Sequence, residues 1–255
     1  MPAEEILDDI EAFVLDAFGT ITDWHGTVTR EIKDRAASIS DAEAQEFTEE
    51  WRRGFMENTS RIAKGSEGPL SADVLHREIL DSMLASARWS NLGKQWDENA
   101  RQKLNLVWHH LDGWPDASKG LHGMKKKKLL VVLSNANIRL LADMAKHGDF
   151  PWDVVLSTEL FGTYKPNEKV YKGAIHHLAL PPSKIAMVAA HMWDLRGAAS
   201  CGMRTIYVRR SSEDVNAAQG VKCKEEGGEV DIVVNDLVEL AGMLERDTRV
   251  TQYHV

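Results

Sequence analysis

Short runs of apolar and β-branched residues recur along the chain, at Ala12 to Asp16, Leu129 to Ser134, Trp152 to Leu156, Ile185 to Ala189, Arg204 to Val208 and Val230 to Val234. They are apolar at consecutive rather than alternate positions, which predicts strands buried on both faces of a sheet. Between the later runs the apolar residues return at helical spacing, at Ile138, Leu141 and Ala145, at Val170, Ala174 and Leu178, and at Leu237, Leu240 and Leu244. Asn167 stands where it can cap the second of these helices. Strands that alternate with helices predict an α/β fold whose core is a Rossmann-like, doubly wound parallel sheet.

Residues 29–117 break this rhythm, with helical periodicity throughout and no convincing strand. Ser40 followed by Glu43 is a capping-box pattern, and Ala44, Phe47, Trp51 and Phe55 then form an apolar stripe. Leu75, Ile79 and Met83 predict a second helix, and Leu104, Val107 and Leu111 a third. Gly65 to Pro69 is a loop by composition. The expected organisation is therefore an α/β core from residues 1–28 and 118–255, with an inserted helical cap at 29–117. The tryptophans at 89, 96, 108 and 114 are expected chiefly in the core of the cap, with some lining a pocket.

Composition narrows the function. With 255 residues, 43% hydrophobic and 27% charged, the chain has the balance of a globular protein rather than a disordered one. A formal net charge of −8 argues against a general nucleic-acid binder, and an anionic substrate would need local cations. The two cysteines, Cys201 and Cys223, have neither metal-ligand spacing nor the number of a disulfide framework. Together with a start that lacks a signal-peptide pattern and the absence of a membrane-length apolar run, they lead us to expect a cytoplasmic protein. The Lys125 to Lys128 run directly precedes a strand and is expected to be a solvated loop.

Candidate chemistry gathers where strands end. In a parallel α/β sheet the carboxyl ends of the strands open onto the ligand crevice. Asp16 closes the first run, Ser134 and Asn135 the second. Lys165 follows the third, and His191 and Asp194 follow the fourth. Alone, an Asp at a strand end is commonly a turn residue, a Ser-Asn pair a cap and a Lys a solvated charge. Four such sites on one predicted rim point instead to an active site.

With these residues in place, the chain resembles the haloacid dehalogenase superfamily, and within it the L-2-haloacid dehalogenase branch. Phe13-Val14-Leu15-Asp16-Ala17-Phe18-Gly19-Thr20 looks like the first family motif and Leu133-Ser134-Asn135 like the second. Tyr164-Lys165-Pro166-Asn167 with Val170-Tyr171 resembles the third, and Val188 through Trp193-Asp194 the fourth. Trp51-Arg52 is similar to the pair whose Arg reaches the substrate from the cap. The resemblance implies a hydrolase that cleaves the carbon–halogen bond of a small 2-haloacid through an ester on Asp16, which divides one difficult displacement into two easier steps. It implies that Lys165 keeps Asp16 ionised, that Arg52 stabilises the departing halide, and that Ser134, Asn135 and backbone N–H groups bind the substrate carboxylate. Asp194 would position or activate the hydrolytic water, Thr20 would orient the site, and Phe18, Tyr171 and His191 would lie beside the substrate. The expected ligand is a small anion, with no metal or other cofactor, no nucleic acid and no membrane, and the protein is expected as a monomer or homodimer.

Two other readings stay open on the sequence. A phosphatase of the same superfamily would use Asp16 with Mg²⁺, but its branch carries a second Asp where this chain has Phe18 and a further acidic residue where Ala190 stands. A non-catalytic binding protein on this fold is the other, against which Asp16, Arg52 and Lys165 stand together. The chain also departs from the dehalogenase pattern, which has Ser and Asn at the positions of Ala189 and His191.

Overall fold

In the computed structural model, which describes residues 2–36, 39–214 and 220–246, six parallel strands form one sheet in the order β3-β2-β1-β4-β5-β6. They are β1 (Ala12–Leu15), β2 (Leu129–Ser134), β3 (Val154–Ser157), β4 (Ile185–Ala189), β5 (Arg204–Val208) and β6 (Ile232–Val234). Every run expected to be a strand is one. β1 stops at Leu15, which leaves Asp16 just past its end, and β3 and β6 begin later than the apolar runs do.

β1 and β4, at the centre, are buried at every position, which is why they read as unbroken apolar runs. Alternate side chains serve opposite faces: Phe13 and Leu15 join one apolar cluster and Val14 the other. The first face is covered by α1 (Ala3–Asp9), α7 (Ala117–Lys125), α8 (Ile138–Gly148) and α11 (Leu237–Arg246), through residues such as Leu7, Leu121, Met144 and Leu240. On the second lie α9 (Glu168–Leu178) and α10 (Met192–Ser200), through Val170, Ala174 and Leu195. Asn167 caps α9 as expected, accepting from the Lys169 N–H at 3.0 Å.

Between β1 and β2 the chain forms α2 (Trp24–Arg35), α3 (Asp41–Ala63), α4 (Ala72–Ala85), α5 (Ser90–Gln95) and α6 (Glu98–Asn105). The capping box closes α3: Ser40 Oγ accepts from the Glu43 N–H at 3.2 Å, and Glu43 Oε2 from the Ser40 N–H at 3.0 Å. Its stripe of Ala44, Phe47, Trp51 and Phe55 is fully buried. Trp51 Nε1 also donates to the His76 carbonyl at 2.9 Å, pinning α3 to α4. This apolar cluster is continuous with that of the first sheet face, so the insert and the core share one apolar interior.

The structure corrects several of these expectations. Leu104, Val107 and Leu111 do not share an α-helix, because α6 ends at Asn105 and a 3-10 turn follows over Leu106–His110, after which Leu111 is extended. All three remain buried, and the tighter turn keeps Leu104 and Val107, three residues apart, on one side. Ile138 is 39% exposed at the first turn of α8, whose buried face is carried by Leu140, Leu141 and Met144. The Lys125 to Lys128 run includes the last residue of α7, and Lys125 pairs with Asp153 at 2.6 Å. Helix α2 runs across the expected boundary at residue 28, and residues 247–255 of the expected core lie outside the described residues. No helix among the described residues is long and apolar enough to cross a membrane.

Candidate active site

The strand order reverses between β1 and β4: one half of the sheet runs outward through β2 and β3, the other through β5 and β6. Connections leave the carboxyl ends of β1 and β4 in opposite directions there and open a crevice. Asp16 follows β1, and Ala190 and His191 follow β4, so both flank that crevice. Ser134 and Asn135 sit at the end of β2, Lys165 follows the turn after β3, and Asp194 lies in the first turn of α10.

Lys165 is the hinge of the arrangement. It is 2% exposed, and its Nζ donates to Asp16 Oδ1 at 2.8 Å and to Asp194 Oδ2 at 2.5 Å. Burial works against the ammonium, but the two carboxylates outweigh it and raise its pKa. Burial likewise works against the Asp16 carboxylate and is overcome by the Lys165 charge and by His191, which hold it well below the usual carboxylate range. Asp16 is therefore an ionised carboxylate at neutral pH. Asp194 goes the other way, pushed up by its burial and by the neighbouring Asp16 charge, even though Lys165 and Tyr171 bind it. The Tyr171 hydroxyl donates to Asp194 Oδ1 at 2.6 Å, which places it in the network rather than in the ordinary core.

Thr20 and His191 hold the other side of Asp16. Thr20 Oγ1 donates to Asp16 Oδ2 at 2.8 Å and accepts from the Ala190 N–H at 2.9 Å, tying the ends of β1 and β4 together. His191 Nδ1 lies 3.2 Å from Asp16 Oδ2, and Nε2 lies 2.8 Å from Glu213 Oε2. Burial pulls the ring's pKa down, but hydrogen bonds and charges from both carboxylates push it up to about 9.

Arg52 comes from α3, above the sheet. It is 8% exposed, and its guanidinium carbon lies 5.4 Å from the Phe18 ring centroid, 5.3 Å from Trp24 and 5.7 Å from Phe55. Aromatic faces attract a cation without consuming its N–H donors. Arg52 Nη1 is buried with no hydrogen-bond partner, a donor that a bound anion would satisfy. Phe18 meets Phe55, His76 and Trp108 edge-on, giving the site an apolar wall. The adjacent Arg53 is exposed.

Not every expected residue touches the charged centre. Ser134 Oγ accepts from the Ala136 N–H at 3.3 Å, and Asn135 Oδ1 accepts from the Lys165 N–H at 2.8 Å, so these two shape the loop and set Lys165. Glu213 and Trp24 were missing from the sequence reading. Glu213 lies past the end of β5, the same strand-end position that marks Asp16 and Lys165. Gly19, at φ +81°, makes room for it: a Cβ there would come within 2.5 Å of Glu213 Cδ. No comparable pattern marks Trp24, whose Nε1 donates to Glu213 Oε1 at 2.6 Å.

Comparison with known proteins identifies the family and the fold. A model of the haloacid dehalogenase-like hydrolases matches residues 10–202. The solved L-2-haloacid dehalogenase PA0810 is 31% identical, with a TM-score of 0.78 over 92% of this chain and 99% of its own. The defluorinating L-2-haloacid dehalogenase Rha0230 is also 31% identical, with a TM-score of 0.79 over 92% and 95%. The chain belongs to the haloacid dehalogenase-like hydrolases, in the L-2-haloacid dehalogenase branch. Among sequence relatives, (S)-2-haloacid dehalogenase 4A of Burkholderia cepacia is 27% identical over 214 residues, spanning 80% of this chain and 85% of that one.

Two measurements check the electrostatics of this dehalogenase-like site. Lys165→Met keeps the length of the side chain but leaves two buried carboxylates facing each other, which should cost about 3–5 kcal/mol of stability in urea denaturation. A loss below about 1 kcal/mol would mean that the two carboxylates do not depend on Lys165. The second concerns His191, whose folded-state pKa is raised from 6.5 to about 9. A raised group contributes stability fully below its unfolded value and loses it as pH climbs through its folded one. Unfolding free energy should therefore fall between pH 6.5 and about 9, by on the order of 3 kcal/mol at most, and His191→Asn should flatten that limb. Asp16, with its lowered pKa, acts on the acid side instead, losing its contribution as pH falls below the ordinary carboxylate range.

Proposed function

We propose that this chain hydrolyses the carbon–halogen bond of a small L-2-haloacid, with Asp16 attacking the halogen-bearing carbon to form an ester. The observation that carries this reading is an ionised Asp16, bound by Lys165 at 2.8 Å, in the same closed site as the unsatisfied Arg52 Nη1. A carboxylate nucleophile needs to be charged and aligned, and a leaving halide needs a donor in an apolar setting. Thr20 and Lys165 fix Asp16, while Asp194 and Tyr171 fix Lys165. Arg52 receives the halide against Phe18, and the loop of Ser134 and Asn135 takes the substrate carboxylate. The names of the relatives point to the same substrates and to the L configuration.

Residues 1–28 and 118–255 act in this reading as the catalytic unit and 29–117 as the cap, with α2 crossing the junction. Asp16, Arg52, Lys165, His191 and Asp194 are each less than a tenth exposed, so the cap has to move for substrate to enter. Tyr164 Oη donates to the Pro69 carbonyl at 2.8 Å, and Asn167 Nδ2 to the Ala63 carbonyl at 2.8 Å, polar contacts that such a motion would break. Closure then keeps water from the displacement step.

The reaction draws on no cofactor. Mg²⁺-dependent phosphate hydrolysis fits these residues poorly. The Lys165 ammonium stands between Asp16 and Asp194, the carboxylates a metal would need, and Phe18 and Ala190 supply no oxygen ligand or acid.

The test is halide release from L- and D-2-chloropropionate, with and without chelator. The L isomer should be turned over in both conditions, and Asp16→Asn should abolish turnover without unfolding the protein. Activity that vanished with chelator and returned with magnesium would favour the phosphatase reading. Arg52→Lys keeps the charge but loses the planar fork of donors, and should lower kcat/KM by at least about tenfold, roughly 1.4 kcal/mol. Arg53→Lys, on the exposed side of α3, should leave the rate unchanged, and equal rates for the two variants would remove Arg52 from the site.

A further inference from the structure

The roles assigned so far leave Glu213 unused, yet it is buried, fixed by Trp24 Nε1 at 2.6 Å and aimed at His191. His191 faces a carboxylate with each ring nitrogen, and ionised carboxylates only accept hydrogen bonds. In the resting site the imidazole therefore donates to both and carries a charge. Its ring also stacks on Trp193 at 5.6 Å, so the orientation is held from the side as well. Asp194 is poorly placed for the hydrolytic step. Tyr171 and Lys165 occupy its two oxygens, it is fully buried, and it reaches Asp16 through the Lys165 ammonium.

We propose that His191, oriented by Glu213, is the catalytic base and acid that hydrolyses the ester on Asp16. This rests on the reading of Asp16 as the nucleophile. When Asp16 becomes an ester, the halide leaves with its bonding electron pair and one of the two anions facing His191 disappears. His191 then releases its Nδ1 proton to solvent, the proton that accompanies halide in the overall hydrolysis. A water attacks Asp16 Cγ and passes a proton to Nδ1. The bond between Asp16 Cγ and the ester oxygen then breaks, and the departing alkoxide, which keeps that oxygen, takes the proton from Nδ1 to give the 2-hydroxyacid. The Asp16 carboxylic acid left behind returns its proton to His191, which restores the starting charges.

The charged groups around His191 set the pH dependence of this step. Asp16 lies on one side and Glu213 on the other; Lys165 stands beyond Asp16, and the Arg52 charge acts on Glu213. Once Asp16 is esterified, Glu213 alone among the described residues still faces the ring as an anion. Ester hydrolysis should accelerate as pH rises and His191 becomes a free base.

The experiment separates the two chemical steps. Wild type, His191→Asn and Glu213→Gln are mixed with L-2-chloropropionate, quenched over time, and followed by intact-protein mass and halide release. Asn keeps a donor towards Asp16 but has no basicity. His191→Asn should release halide in a burst equivalent to the enzyme, accumulate the ester, and hydrolyse it about a hundredfold or more slowly, with no rise with pH. Glu213→Gln should do the same more mildly, by about tenfold, because it positions the base rather than acting as one. If the ester forms and decays at the wild-type rate in His191→Asn, or if burst and decay slow together in both variants, the proposal is overturned while Asp16 remains the nucleophile. If halide is released but no ester appears in any form, and heavy oxygen from solvent never enters Asp16, the nucleophile reading fails and takes this proposal with it.

Discussion

Lys165 carries its charge into a region sealed from water, and most of the site is arranged around that fact. A buried ammonium is tolerable only when opposite charge and acceptors meet it closely. Asp16 does so from the end of β1 and Asp194 from the first turn of α10, and Tyr171 and Asn135 secure the group from α9 and the β2 loop. The same contacts that make Lys165 bearable keep Asp16 ionised. Stability and reactivity are thus served by one cluster, and the cost of burying a charge is met by the groups that chemistry requires.

A second chain of contacts braces the cluster from the opposite side. Arg210 grips Asp116 with two N–H groups, at 2.6 and 2.9 Å, and donates through Nε to the Thr20 carbonyl at 2.9 Å. Asp116 also accepts from the Leu237 N–H at 2.8 Å, so the turn carrying Thr20 is tied to the start of α11. Glu213 and Trp24 extend the bracing to the insert, and Arg52 hangs between aromatic rings from both parts of the molecule. An Arg held by ring faces keeps donors for a ligand, which an Arg held by a carboxylate would not.

The strands and the capping box were legible because they depend on local signals: continuous burial writes an unbroken apolar run, and a Ser and a Glu three residues apart satisfy the N–H groups of a helix start. The site was legible where a residue follows a strand and has unusual chemistry, as with Asp16, Lys165 and Asp194. Where the signal is shared between distant segments it faded. The 3-10 turn after α6 keeps Leu104 and Val107 on one side as a helix would, so periodicity alone could not separate the two. Arg52 and Arg53 are neighbours of the same type, and only the packing of α3 turns one inward and the other to solvent.

The sequence by itself determined the strands of the sheet, their alternation with helices, the helical insert and the rim residues that resemble the haloacid dehalogenases. Those follow from hydrophobic period and from residue types at fixed offsets, which operate within a few turns of chain. Tertiary structure alone decided which charges meet. Glu213 lies 22 residues beyond His191, and Trp24 a further 189 residues from Glu213 in the opposite direction, yet they line up behind Asp16. No local pattern encodes such a contact, because it exists only once β1, β4 and β5 lie in one sheet and their ends open on one crevice.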